Sequence, residues 1–122
     1  MSNPTLYCFK VNEDKDAIKI YRYQINDYNY VVKNEFRKEY SFPGEVIDST
    51  YRTFIVNKDN IDKYVLQRVF TFNPDYRHAV EVIENKLNSE IERSERYIAN
   101  WKEKLTKLDK YRRDKIDGYS ED

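Results

Sequence analysis

The stretch Val69-Phe70-Thr71-Phe72-Asn73-Pro74-Asp75 decides the fold, because a two-residue periodicity ends in it and a helical one begins. Val69 to Phe72 alternates β-branched and aromatic side chains, as a half-buried strand requires. Asn73 then suits a helix N-cap, Pro74 the first helical position, and Asp75 places a negative charge on the first turn. Three independent signals therefore predict that a strand feeds directly into a helix.

Upstream of this junction the alternation recurs. Leu6 to Val11 is the first run, and Ala17 to Ile25 follows the polar turn Asn12 to Asp16, with Ile18 and Ile20 on one side and Tyr21, Tyr23 and Ile25 on the other. Tyr30 to Val32, Glu35 to Phe42, Thr50 to Val56 and Leu66 to Phe72 complete the set, with a short helical turn expected within Asn57 to Tyr64. In the fourth run Phe36, Lys38, Tyr40 and Phe42 share one face, and Arg37, Glu39 and Ser41 the other. Because the connections are short, an antiparallel meander of four to six strands is the economical assembly.

Downstream, no Gly or Pro occurs before Gly118, and an apolar register steps by three or four through Val80, Ile83, Leu87, Ile91, Ser94, Ile98, Trp101, Leu105 and Leu108. Glu92/Arg96, Glu103/Lys107 and Asp109/Arg113 add supporting i,i+4 pairs. A continuous helix of roughly 40 residues would run roughly 60 Å, far beyond what a small sheet covers. Two solutions follow: an extended helix that pairs between subunits, or a reversal near Asn88-Ser89 or Asn100 that makes a helical hairpin. The absence of a strong breaker favours the extended form and a homodimer or higher homo-oligomer. The fold class is α+β: an N-terminal antiparallel β-sheet followed by a long C-terminal helix or helical hairpin that mediates oligomerisation. One domain, 1–122, is expected, with 1–72 as the sheet region, 73–117 as the helical region and 118–122 as an acidic tail.

The 122 residues fit a single domain, and 22 Lys+Arg balance 22 Asp+Glu, so no whole-molecule field draws the chain to nucleic acid or an anionic membrane. No apolar stretch is long enough to span a bilayer and no leader pattern follows Met1, which predicts a cytoplasmic protein. Cys8 and His78, each the sole residue of its type, provide neither a disulfide nor a zinc set. As a nucleophile pair they have the wrong setting, Cys8 in an apolar run and His78 at a helix start. Asp59/Asp62 and Glu90/Glu92 read as solvated charge rather than paired acid and base, so no enzyme, metal or cofactor is expected. With two glycines there is also no phosphate-cradling Gly-rich loop.

Binding remains the open chemistry. Phe70, Phe72, Asn73 and Arg77 cluster in sequence where strand meets helix, a place where clefts form, and an aromatic ring beside cations suits an adenine diphosphate. Asn85 and Asn88 lie further along the helix and Arg52 on an aromatic strand, all with groups that could hold a nucleotide's edges or phosphates. Lys102 to Lys115 holds seven cations against three anions, so Arg112 and Arg113 are candidate phosphate ligands. The ordinary alternatives are that Phe70 and Phe72 are core, Arg77 is solvated, and the lysine-rich run complements the helix dipole.

Together, Val69-Phe70-Thr71-Phe72, the helix start His78-Ala79-Val80-Glu81 and the Lys/Glu-rich terminal helix resemble small phage proteins that counter Thoeris immunity. The resemblance implies an N-terminal sheet with C-terminal helices, assembly as dimers or larger oligomers, and a sponge that sequesters a cyclic ADP-ribose isomer without degrading it, in the host cytoplasm. It carries no family ligand residue over to a numbered position. The competing expectation is a phage interaction or assembly protein acting through a coiled-coil seam or an aromatic sheet surface.

Overall fold

The first strand, β1 (Leu6–Glu13), alternates side chains that are apolar on both faces, and the whole architecture follows from covering both. In the computed structural model, which describes residues 3–48, 52–93 and 98–117, β1 is joined by β2 (Ile18–Ile25), β3 (Asn29–Asn34), β4 (Arg37–Pro43), α1 (Glu45–Asp48), β5 (Thr53–Asn57), β6 (Tyr64–Val65), β7 (Arg68–Thr71), α2 (Tyr76–Arg93) and α3 (Ile98–Tyr111). A short 3₁₀ turn, Lys58–Asn60, and a wider π-type turn, Arg112–Asp117, complete the described elements.

Two sheets form rather than one meander. The first has strand order β2-β1-β7-β6 and the second β3-β4-β5. β1 pairs antiparallel with β2 from Leu6↔Ile25 to Glu13↔Ile18, and on its other edge with β7 from Tyr7↔Thr71 to Lys10↔Arg68. The last strand thus closes onto the first, a long-range pairing that local alternation does not reveal. The short β6 and α1 were likewise unread, since two and four residues are too few to show a period. In the fifth strand, residues 50 and 51 lie outside the described residues.

Phe9 and Val11 of β1, Ile18 and Ile20 of β2 and Val69 of β7 pack with Ala79, Val80, Ile83, Leu87 and Leu108 of the helices. From the opposite face Leu6, Cys8 and Ile25 pack with Phe42 and Val56 of the second sheet, and with Tyr28 and Ile47. Three layers result: helices, first sheet, second sheet. Arg22 joins the helical layer to the sheet. Its guanidinium carbon lies 5.6 Å from the Tyr7 ring centroid and 5.3 Å from that of Tyr76, and its Nη1 donates to the Pro74 carbonyl at 2.7 Å.

The start of α2 differs from the sequence expectation by two residues. Asp75, not Asn73, caps the helix: its Oδ1 accepts from the Arg77 N–H at 2.9 Å. Asn73 instead forms a turn, its Oδ1 accepting from the Asp75 N–H at 2.9 Å.

The preferred extended helix is also corrected. α2 and α3 lie antiparallel within the chain: Arg112 Nη2 donates to Glu84 Oε1, Arg77 meets Asp117 at 3.4 Å, and Leu108 is fully buried in one cluster with Ile83 and Leu87. Trp101 and Leu105 pack against the same cluster. Asn88-Ser89 and Asn100, the proposed reversal points, both sit inside helices, whereas Ser94 and Arg96 lie outside the described residues. A strong breaker is unnecessary because burial of the seam outweighs the loss of a few helical hydrogen bonds. Since the chain covers its own seam, the sequence argument for pairing between subunits loses its premise.

Leu108→Ala should therefore destabilise the isolated chain by ~2–5 kcal/mol in urea unfolding. A cost under ~1 kcal/mol, typical of a surface site, would contradict the closed hairpin.

Candidate functional site

Strand alternation removes the expected aromatic pair from the sheet–helix cleft. Val69 and Thr71 face the helices, which turns Phe70 and Phe72 toward the second sheet, where both are half-buried. Phe70 packs on Phe42 at 5.9 Å between centroids, and Phe72 on Tyr40 at 5.6 Å and Tyr28 at 6.3 Å. They are core side chains. The candidate arginines are dispersed: Arg77 pairs with Asp117, Arg112 with Glu84, and Arg113 with Asp109 at 3.3 Å. Asn85 lines a shallow depression with Asp62, Tyr64 and Lys86, while Asn88 is exposed on α2. Arg52 borders a separate hollow with Asp27, Asn29 and Thr53 beside β3 and β4. These eight residues do not converge on one site.

A different set does converge. α3 crosses the free edge of β2, and between them runs a groove of about 380 Å³ floored by Ile18 and Ile20 and walled by Lys107, Lys110, Tyr111 and Lys115, with Lys19 and Tyr21 on the alternate positions of β2 at its rim. Four lysines and one aspartate, Asp114, line it, a local excess of positive charge in a chain whose total charge is zero. Lys107 is the fixed member. Its Nζ donates to Glu13 Oε2 and to the Asp14 carbonyl, each at 3.1 Å, and the Glu13 carboxylate raises its pKa above the ordinary lysine value. Lys104 reaches the same Glu13 at 3.7 Å, so α3 is tied to the β1–β2 turn by two cations on one carboxylate. Lys19, Lys110 and Lys115 line the groove without an ion pair within 4.0 Å among the described residues.

Chemically, such a groove combines an apolar floor, the Tyr111 phenol and lysine ammonium groups among its lining, which fits a flat ring carrying a phosphate. Lys107, Lys110 and Tyr111 recur at three- and four-residue intervals on one helix face, and that spacing is readable in the sequence. The strand edge they face is not, because no local pattern says which strand ends a sheet.

One further polar cluster surrounds Asp62, whose φ of 61° is left-handed. Thr71 Oγ1 donates to Asp62 Oδ1 at 2.6 Å, and His78 Nε2 lies 2.8 Å from the same oxygen. This is a clamp between the Asp62 turn, β7 and α2. It lacks the order of a nucleophilic triad, since the carboxylate stands between hydroxyl and imidazole and Thr71 is only 1% exposed. Cys8 lies in the inter-sheet core, apart from His78, and burial pushes its thiol up to about 12.

Among the described residues no helix is long and apolar enough to cross a membrane, and no group of three or more His, Cys, Asp or Glu is placed to hold a metal ion. Comparison of the chain with protein-family models, with curated proteins and with solved structures finds no match.

The buried thiol gives a direct check. At about pH 8 a disulfide reagent should leave Cys8 unmodified in the folded protein and titrate it fully in denaturant. The folded thiol keeps its proton between 9.0 and about 12 while the unfolded thiol releases it, so its contribution to stability is complete below 9.0 and falls as pH rises toward 12. Rapid labelling without denaturant would show that the two sheets do not close over β1.

Proposed function

We propose that the chain is a non-catalytic binder of an adenine-type anionic nucleotide, held in the β2–α3 groove, and that it acts as a sponge for a cyclic ADP-ribose-type signal. The observation that carries the reading is the concentration of Lys19, Lys107, Lys110 and Lys115 around an apolar, tyrosine-flanked floor in a chain of zero net charge. At about 380 Å³ the groove is within the range of small-molecule sites. The diphosphate would lie against Lys110 and Lys115, and the base against Tyr21 or Tyr111. The sponge role, rather than simple storage, rests on the resemblance to phage anti-Thoeris proteins. Under this reading the site moves from the strand–helix junction to the opposite edge of the first sheet.

The rival reading, a protein-interaction role, has its own support. Phe36 at the tip of the β3–β4 hairpin is 85% exposed, and Val32 and Ile55 are 58% and 59% exposed on the second sheet. The helical seam no longer contributes to it, being covered within the chain.

Calorimetric titration with cyclic ADP-ribose separates the two. Lys110→Glu combined with Lys115→Glu should abolish detectable binding, because each charge-assisted contact is worth ~1.5–3 kcal/mol and repulsion is added. Arg77→Glu and Arg113→Glu should leave affinity within about twofold, since screened surface pairs contribute little. Ligand released on heating should be chemically intact. Binding that survives the lysine reversal, or recovery of hydrolysed product, would overturn the proposal.

A further inference from the structure

On β7, between β1 and β6, the side chain of Arg68 lies between the sheets with 19% exposure, and its Nε is shielded from solvent without a hydrogen-bond partner. Its guanidinium carbon stands 5.3 Å from the Phe54 ring centroid, and Nη2 is 3.6 Å from Asp48 Oδ2, beyond good hydrogen-bond distance. A buried charged donor left unmatched is costly, and chains ordinarily satisfy it. Arg68 lines a small pocket of about 130 Å³ with Phe54, Val65, Leu66 and Phe70, and with Lys63 as a second cation; no acidic residue lines it.

The turn at its rim supplies an independent observation. Leu66 and Gln67 connect β6 to β7 with φ of 50° and 65°, the double left-handed geometry that two-residue hairpin loops normally give to Asn-Gly. A leucine fits that backbone poorly, and this one is 82% exposed, with Val65 at 39% and Ile55 at 59% beside it. The chain thus holds a strained, uncovered apolar side chain next to a guanidinium whose Nε has no hydrogen-bond partner and whose ion pair with Asp48 is long.

We propose that this pocket binds a small apolar carboxylate, whose carboxylate accepts hydrogen bonds from Arg68 and whose branched or aryl group packs against Phe54, Val65 and Leu66. The size sets the class: at about 130 Å³ the pocket is slightly smaller than a cavity of about 150 Å³ that accommodates benzene, so it takes at most a single ring or branched alkyl group and not a nucleotide. Arg68, opposed only by the Asp48 carboxylate at 3.6 Å, and Lys63, with no carboxylate in the lining itself, set the charge. The site shares no lining residue with the lysine groove, and its occupancy is independent of the nucleotide reading.

Titration of the isotope-labelled protein with phenylacetate, followed by amide NMR, tests it, with phenylacetamide as the uncharged counterpart. Phenylacetate should shift Ile55, Val65 and Leu66 in a saturable manner, and phenylacetamide should bind about tenfold more weakly or worse. Because Arg68→Gln can also disturb the inter-sheet core, Leu66→Asn is the second variant. Asn suits the left-handed turn, so this variant should melt at a higher temperature than the parent and yet bind phenylacetate more weakly. Equal affinity for acid and amide, no saturable shift at these residues, or undiminished binding by a stabilised Leu66→Asn protein would each overturn the proposal.

Discussion

The double burial of β1 is the constraint on which the remaining layers depend. A strand whose successive side chains are Leu6, Tyr7, Cys8, Phe9, Lys10 and Val11 presents apolar groups to both sides, and neither face can be left to water. The helical hairpin covers Phe9 and Val11, while the second sheet covers Leu6 and Cys8. Pairing on both edges, with β2 and β7, satisfies the backbone of the same strand. The chain must therefore return to β1 at its sixty-eighth to seventy-first residues, Arg68–Thr71, before the helices begin. That return places the strand–helix junction over one face of the first sheet and the lysine groove at its β2 edge.

Much of this was legible because it is local. Alternation located the long strands within one to three residues, since a half-buried strand must place apolar groups two apart, and the change of period at Val69 to Asp75 located the helical region. What failed was everything that needs a partner distant in sequence. The helical seam looked too long to bury because its length was compared with a sheet, whereas its own second half covers it.

The binding residues show the same division. Phe70 and Phe72 have the residue type that an adenine site needs, yet strand parity sends both into the inter-sheet core beside Phe42 and Tyr40. Arg77, Arg112 and Arg113 have the right charge, and each has a carboxylate of its own. The groove cations without an ion pair among the described residues are Lys110 on α3 and Lys115 in the turn after it, separated from Lys19 by some ninety residues of sequence but lining the same groove. Residue type suggests a chemistry; only topology decides which copies of that type are available for it.

That a nucleotide lodges between β2 and α3 is checked by mapping amide shifts on addition of cyclic ADP-ribose to the labelled protein. The account predicts saturable changes concentrated at 17–21 and 107–115, with 70–77 unaffected. Shifts centred on 70–77 with 17–21 silent would contradict it and return the site to the strand–helix junction.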